Sequence, residues 1–90
     1  MPKVSFTYAL KRFFPDIRPE ELNAPTVHDL IVQLDEKYPG LKGYIVDDQG
    51  RLRQHVNIFV DGTLIRDREA LSDPTQGVQE VYIMQALSGG

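Results

Sequence analysis

Between Thr26 and Gly40 the apolar residues Val27, Leu30, Ile31, Leu34 and Tyr38 fall at i, i+3, i+4, i+7 and i+11. On a helix that spacing makes one continuous stripe, while Asp29, Gln33, Asp35, Glu36 and Lys37 take the polar side and Val32 lies off the stripe. Thr26 has the chemistry of an N-cap, with Asp29 three residues on in an acidic variant of the capping box, and Pro39-Gly40 ends the run. A helix with a single apolar stripe must bury it against another element. A chain of 90 residues has room for one such core and no second domain. Cysteine is absent, so packing alone must hold that core together.

The flanking segments supply the other layer. Lys3 to Ala9 alternates, with Val4, Phe6 and Tyr8 on one face and Ser5, Thr7 and Ala9 on the other. Leu10 to Phe14 reads as a turn or short helical piece entering a loop broken by Pro15 and Pro19; Phe13 and Phe14 suit either the core or a partner surface, and the core is the expectation. Glu20 to Ala24 reads as a weaker strand centred on Leu22. Beyond the helix, Leu41 and Ile45 are expected to fold under its end, and Asp48-Gln49-Gly50 to turn. Val56 to Val60 is the clearest strand: Val56, Ile58 and Val60 inward, Asn57 and Phe59 outward. Asp61-Gly62 is a strong hairpin signal leading to a return strand, Thr63-Leu64-Ile65. Arg66 to Gly77 is a polar connection with one turn at Glu69-Ala70-Leu71, and Val78 to Met84 is the last strand. The order β-β-α-β-β-β predicts an α+β fold: a mixed sheet of about five strands with one main helix packed across one face.

Several kinds of chemistry lack their residues. Without cysteine there is no thiolate nucleophile and no Cys-based metal site. His28 and His55 stand far apart in sequence, so no metal ligands are assigned. No glycine-rich phosphate loop and no Ser-His-Asp pattern occurs. The expectation is therefore a protein that is not itself an enzyme and binds no cofactor. A net charge of −3 argues against nucleic acid as partner, and no apolar run approaches the roughly 20 residues of a membrane span. Met1-Pro2-Lys3-Val4-Ser5 lacks a signal-peptide core, which leads to an expected cytoplasmic location. Arg51, Arg53 and His55 form a small basic cluster around Leu52 that reads as a solvated loop.

The sequence closes on Val81-Tyr82-Ile83-Met84-Gln85-Ala86-Leu87-Ser88-Gly89-Gly90, an apolar strand passing into small residues and two glycines. Residues 1–84 are read as the folded domain and 85–90 as a flexible tail. Two glycines without Cβ atoms could thread the Gly90 carboxylate into a narrow slot of a partner where any side chain would clash. The helix end Leu34-Asp35-Glu36-Lys37-Tyr38-Pro39-Gly40-Leu41, the strand and turn Val56-Asn57-Ile58-Phe59-Val60-Asp61-Gly62, and the ending Ala86-Leu87-Ser88-Gly89-Gly90 together resemble the ubiquitin-like sulfur carriers of the MoaD/ThiS type. These include the small subunit of molybdopterin synthase and the carriers of thiamine and cysteine synthesis.

The resemblance implies a ubiquitin-like β-grasp fold and a mechanism. A partner adenylating enzyme uses ATP and magnesium to activate the Gly90 carboxylate, a sulfur donor protein converts it to a thiocarboxylate, and a sulfur-accepting synthase subunit or enzyme receives the sulfur. It also implies docking through the outer sheet face, which assigns Phe59, Tyr82 and Met84 to partner binding together with Ala86, Leu87, Ser88 and Gly89 of the tail. The segment Leu71 to Val81 is longer than is usual in these carriers, and Gln85-Ala86 stands where prolines are common. A ubiquitin-like modifier joined through Gly90 to lysines, or a β-grasp interaction module without chemistry, would show the same pattern.

Overall fold

The computed structural model describes residues 1–85. Five strands form one mixed sheet: β1 (Lys3–Phe6), β2 (Glu20–Glu21), β3 (Val56–Val60), β4 (Thr63–Leu64) and β5 (Glu80–Gln85), in the order β2-β1-β5-β3-β4. The one parallel pair is β1 with β5; the other neighbours are antiparallel. Helix α1 (Val27–Lys37) crosses one face, followed at once by a short α2 (Leu41–Ile45). Among the described residues no helix is long and apolar enough to cross a membrane.

The helix forms where its stripe and cap place it. The Thr26 hydroxyl accepts the Asp29 N–H at 3.3 Å and donates to the Asp29 carboxylate at 3.0 Å, so cap and acid lock each other. Val27, Leu30, Ile31 and Leu34 are buried, against Val4, Val56, Ile58, Val81 and Ile83 from the sheet. At the other end Tyr38 N–H bonds back to the Leu34 carbonyl, and Gly40 takes a φ of +97° that a side chain would strain. The Asp35 carboxylate then accepts the Gly40 and Lys42 amides, which starts α2 and carries Leu41 and Ile45 under the helix. This second helix has too few residues to show a period, so spacing alone predicts only that Leu41 and Ile45 pack there.

The hairpin follows its turn chemistry. Asp61 and Gly62 both have positive φ, +48° and +83°, as a two-residue type I′ turn requires. The Asp61 carboxylate also accepts the Gln79 and Glu80 amides at the start of β5, so it ties the hairpin to its neighbour strand. Thr75 is fully buried: its hydroxyl donates to the Ala24 carbonyl at 2.5 Å and its amide to that of Pro25. Glu20 accepts from Lys37 Nζ at 2.7 Å and from the Tyr38 hydroxyl, joining β2 to the end of α1. The Lys37 bond above all, then that of Tyr38, holds the Glu20 carboxyl below its usual value.

Three expectations are corrected. The first strand stops at Phe6, because Thr7 N–H and its hydroxyl both donate to the Ile83 carbonyl and turn the chain into a 3-10 helix at Tyr8–Arg12. Tyr8, placed with Val4 and Phe6 by alternation, is instead 82% exposed, with Lys11 Nζ 5.7 Å from its ring centre. Phe13 is 52% exposed and Phe14 half-buried; both rest on Tyr44 of α2, at centroid distances of 4.8 and 5.4 Å. The aromatic pair therefore closes the edge of the core. The second strand is shorter than expected; beyond it Leu22 packs partly against the core and Ala24 is buried within it.

Candidate partner-docking face and tail root

With the helix on one side, alternation along β5 sends Val81, Ile83 and Gln85 inward and Tyr82 and Met84 outward. The register sets the outward neighbours: Ser5 lies beside Tyr82, Tyr82 beside Phe59, and Phe59 beside Leu64. Met84 lies beside Asn57 one row further towards the tail. The Phe59 and Tyr82 rings sit 6.5 Å apart, tilted by 37°. Tyr82 is 38% exposed and Leu64 51%, while Phe59 and Met84 are half-buried. The expected residues Phe59, Tyr82 and Met84 therefore do share the outer face. Leu64 belongs with them and was missed. A two-residue turn at Asp61-Gly62 forces Phe59 to pair with Leu64, and that register was readable from the sequence.

The segment from Leu10 to Arg18 leaves this face open. Leu10 and Ile17 belong to the core on the helix side, and Phe13 and Phe14 lean on α2. The row Leu64–Phe59–Tyr82, with Met84 one row on, is thus a contiguous apolar surface on the outer sheet face, of the kind that marks an interface.

The tail begins at a fixed point. Gln85, expected to open the tail, closes β5 instead: its amide donates to the Thr7 hydroxyl at 2.8 Å, and it pairs with Val56. The assigned residues Ala86, Leu87, Ser88, Gly89 and Gly90 lie outside the described residues. On the helix side of the tail root, Gly43, Tyr44, Arg53, His55 and Gln85 line a shallow recess of about 250 Å³. Arg53 and His55 are therefore more than loop decoration. Arg53 Nε donates to the Gly43 carbonyl at 2.9 Å, and Gln85 Nε2 lies 3.4 Å from His55 Nε2. Arg51, the third cationic residue, turns away to Asp47, whose carboxyl is held below its usual value chiefly by the Arg51 backbone amide.

No three His, Asp or Glu side chains gather into a metal-holding group among the described residues. His28 sits instead with its Nδ1 3.5 Å from an Asp29 oxygen. A second recess, lined by Asp16, Arg18, Glu20, Lys37 and Tyr38, mixes acids and bases that already bond to one another and so has a structural explanation.

The fold and its outer face define a β-grasp protein of the ubiquitin-like class. Residues 10–90 match the ThiS family, and the chain belongs to it. Solved structures agree on the fold. A chain of the BexX/CysO complex of Amycolatopsis orientalis superposes with a TM-score of 0.82 at 22% identity, covering 100% of both chains. CysO of Mycobacterium tuberculosis gives 0.81 at 22% identity, over 97% of this chain and 100% of that one. Small archaeal modifier protein 1 of Methanosarcina acetivorans gives 0.68 at 27% identity, over 98% of this chain and 94% of that one. Comparison with curated protein sequences produced no significant match.

Proposed function

We propose that this chain is a sulfur carrier working through its Gly90 carboxylate. The supporting observation is that the ThiS-family match runs through Gly89-Gly90, which follow in sequence within five residues of Gln85, the last residue of the strand that bears the exposed row. In this reading an adenylating enzyme joins the carboxylate to the α-phosphate of ATP and releases pyrophosphate, with magnesium supplied at the enzyme's own site. A carboxylate is a poor acyl donor, and the acyl-adenylate gives it a good leaving group. Hydrosulfide delivered by a sulfur donor protein then attacks the acyl carbon, the bond to the AMP phosphate oxygen breaks, and AMP departs to leave a thiocarboxylate, which a synthase subunit or acceptor enzyme consumes. The chain itself contributes docking and delivery. Leu64, Phe59, Tyr82 and Met84 rest on the enzyme, and the five residues beyond Gln85 reach at most about 17 Å into it.

A second reading is a protein modifier joined through Gly90 to lysines. The similarity to a small archaeal modifier protein favours it, and activation by adenylation is common to both.

The test is ATP–pyrophosphate exchange by the adenylating enzyme encoded in the same genome. The wild-type chain is expected to stimulate exchange, and a folded Phe59→Asp variant to require a concentration at least roughly tenfold higher, the effect of losing a central aromatic contact. Exchange that ignores the chain altogether would refute the reading.

A further inference from the structure

Docking through the outer face leaves the recess on the helix side of the tail root unused. We propose that it receives a carboxylate, an aspartate or glutamate side chain of the protein that engages the tail. The proposal rests on the carrier reading for the identity of that partner, and on the recess alone for its chemistry.

Arg53 is aimed by its own packing. Its Nε is fixed on the Gly43 carbonyl, and its backbone amide and carbonyl are held by Ile45 and Arg68. The two terminal guanidinium nitrogens have no partner among the described residues, and together they form the fork that fits a carboxylate with two parallel bonds. The His55 ring stands at the same rim, and among the described residues no acidic side chain lines the recess. The chain as a whole is acidic, so this is a local reversal of sign at the point where the tail leaves.

Gln85 forms the inner wall of the recess: its Oε1 is buried and has no hydrogen-bond partner among the described residues, while its Nε2 faces the His55 nitrogen. A buried polar atom left unsatisfied carries a free-energy cost, and most such atoms in folded proteins find a partner. The Gln85 Nε2 and the His55 nitrogen lie at the rim beside the Arg53 fork, so an incoming carboxylate meets these groups rather than the closed Oε1. Gln85 stands five residues before Gly90, so a protein that holds the tail passes over this recess. Because Gln85 points inward with Val56, the contact lies on the face of β5 opposite Tyr82. The tail root would be gripped from both sides, by apolar contacts outside and one ionic contact inside.

Two measurements test this. In the first, acetate and, separately, inorganic phosphate are titrated into the isotopically labelled wild-type chain, following the Arg53 Nε–H, the Gln85 side-chain amide and the Gly43 amide by NMR. Acetate is expected to give saturable shifts at all three, abolished in Arg53→Ala. Shifts that are linear, or that survive in Arg53→Ala, overturn the site, and saturation by phosphate with none by acetate overturns the carboxylate assignment. In the second, pyrophosphate exchange is measured with Arg53→Ala and Arg53→Lys, both checked for an unchanged melting transition. KM is expected to rise about tenfold or more in Arg53→Ala, as for a lost charge-assisted pair, and less in Arg53→Lys. An unchanged KM in a folded Arg53→Ala overturns the partner contact. If the wild-type chain supports no exchange, the carrier reading fails, and the acetate titration still decides the recess.

Discussion

Leu34→Ala tests whether the helix stripe carries the core. Leu34 has no exposed surface and lies in the third turn of α1, within the core cluster shared with the sheet. Replacing it by alanine removes three carbons from a closed interior, about 2.4 kcal/mol at 0.8 kcal/mol per carbon. The void left behind adds to this and brings the expected loss to about 3–5 kcal/mol. A domain of this size has a total stability of roughly 5–13 kcal/mol, so the loss takes between a quarter of that stability and nearly all of it. At about 4–8 °C per kcal/mol, a loss of 3 kcal/mol lowers the melting temperature by roughly 12–24 °C. Urea denaturation followed by circular dichroism measures the loss, and an unchanged slope against urea shows that the same surface is exposed on unfolding. Val32→Ala is the control, since Val32 is only half-buried off the stripe and its truncation should cost under about 1 kcal/mol. Equal losses in the two variants, or a loss below about 1 kcal/mol for Leu34→Ala, would refute the packing argument.

Thr75→Val keeps the volume but strips the Ala24 carbonyl of its hydroxyl donor, and it should cost about 1–3 kcal/mol in the same urea assay. Asp67 is held down to about 2 from 3.8, first by the Ser72 hydroxyl and then by the Ala70 amide. Glu20 is lowered in the same sense by Lys37. Folded carboxyls below their unfolded values stabilise above the unfolded value, so stability should fall as pH drops from 3.8 towards about 2, and Asp67→Asn should flatten the acid limb. Leu64→Asp should leave the melting transition within about 0.5 kcal/mol, because the side chain is half-exposed, while raising KM in pyrophosphate exchange.

Much of this architecture was readable because it rests on short-range rules. The stripe from Val27 to Tyr38 has one periodic solution, and Asp61-Gly62 has one favoured turn, so α1 and the β3–β4 hairpin follow from spacing alone. Alternation likewise put Phe59, Tyr82 and Met84 on one face. The errors lie where a long-range contact overrides local pattern. Tyr8 leaves the buried face because Thr7 bonds to Ile83, 76 residues away. The buried Thr75 depends on a carbonyl 51 residues distant, which no window around it reveals. Arg53 and Gln85 meet only after α2 and β5 fold against the same core edge, so the cluster at Arg51, Arg53 and His55 read as solvated loop. The helix α2 was hidden for a different reason: five residues starting after a left-handed glycine are fewer than two turns.

Whether the reacting atom belongs to Gly90 is tested most directly by mass spectrometry of the C-terminal peptide. The chain is incubated with its adenylating enzyme, magnesium ATP and a sulfur donor, then digested so that this peptide can be weighed. The expected result is a mass gain equal to one oxygen replaced by one sulfur, confined to the peptide that ends in Gly90 and absent when ATP is withheld. A chain that is adenylated yet never gains sulfur, or that gains it at any other residue, would overturn the carrier mechanism.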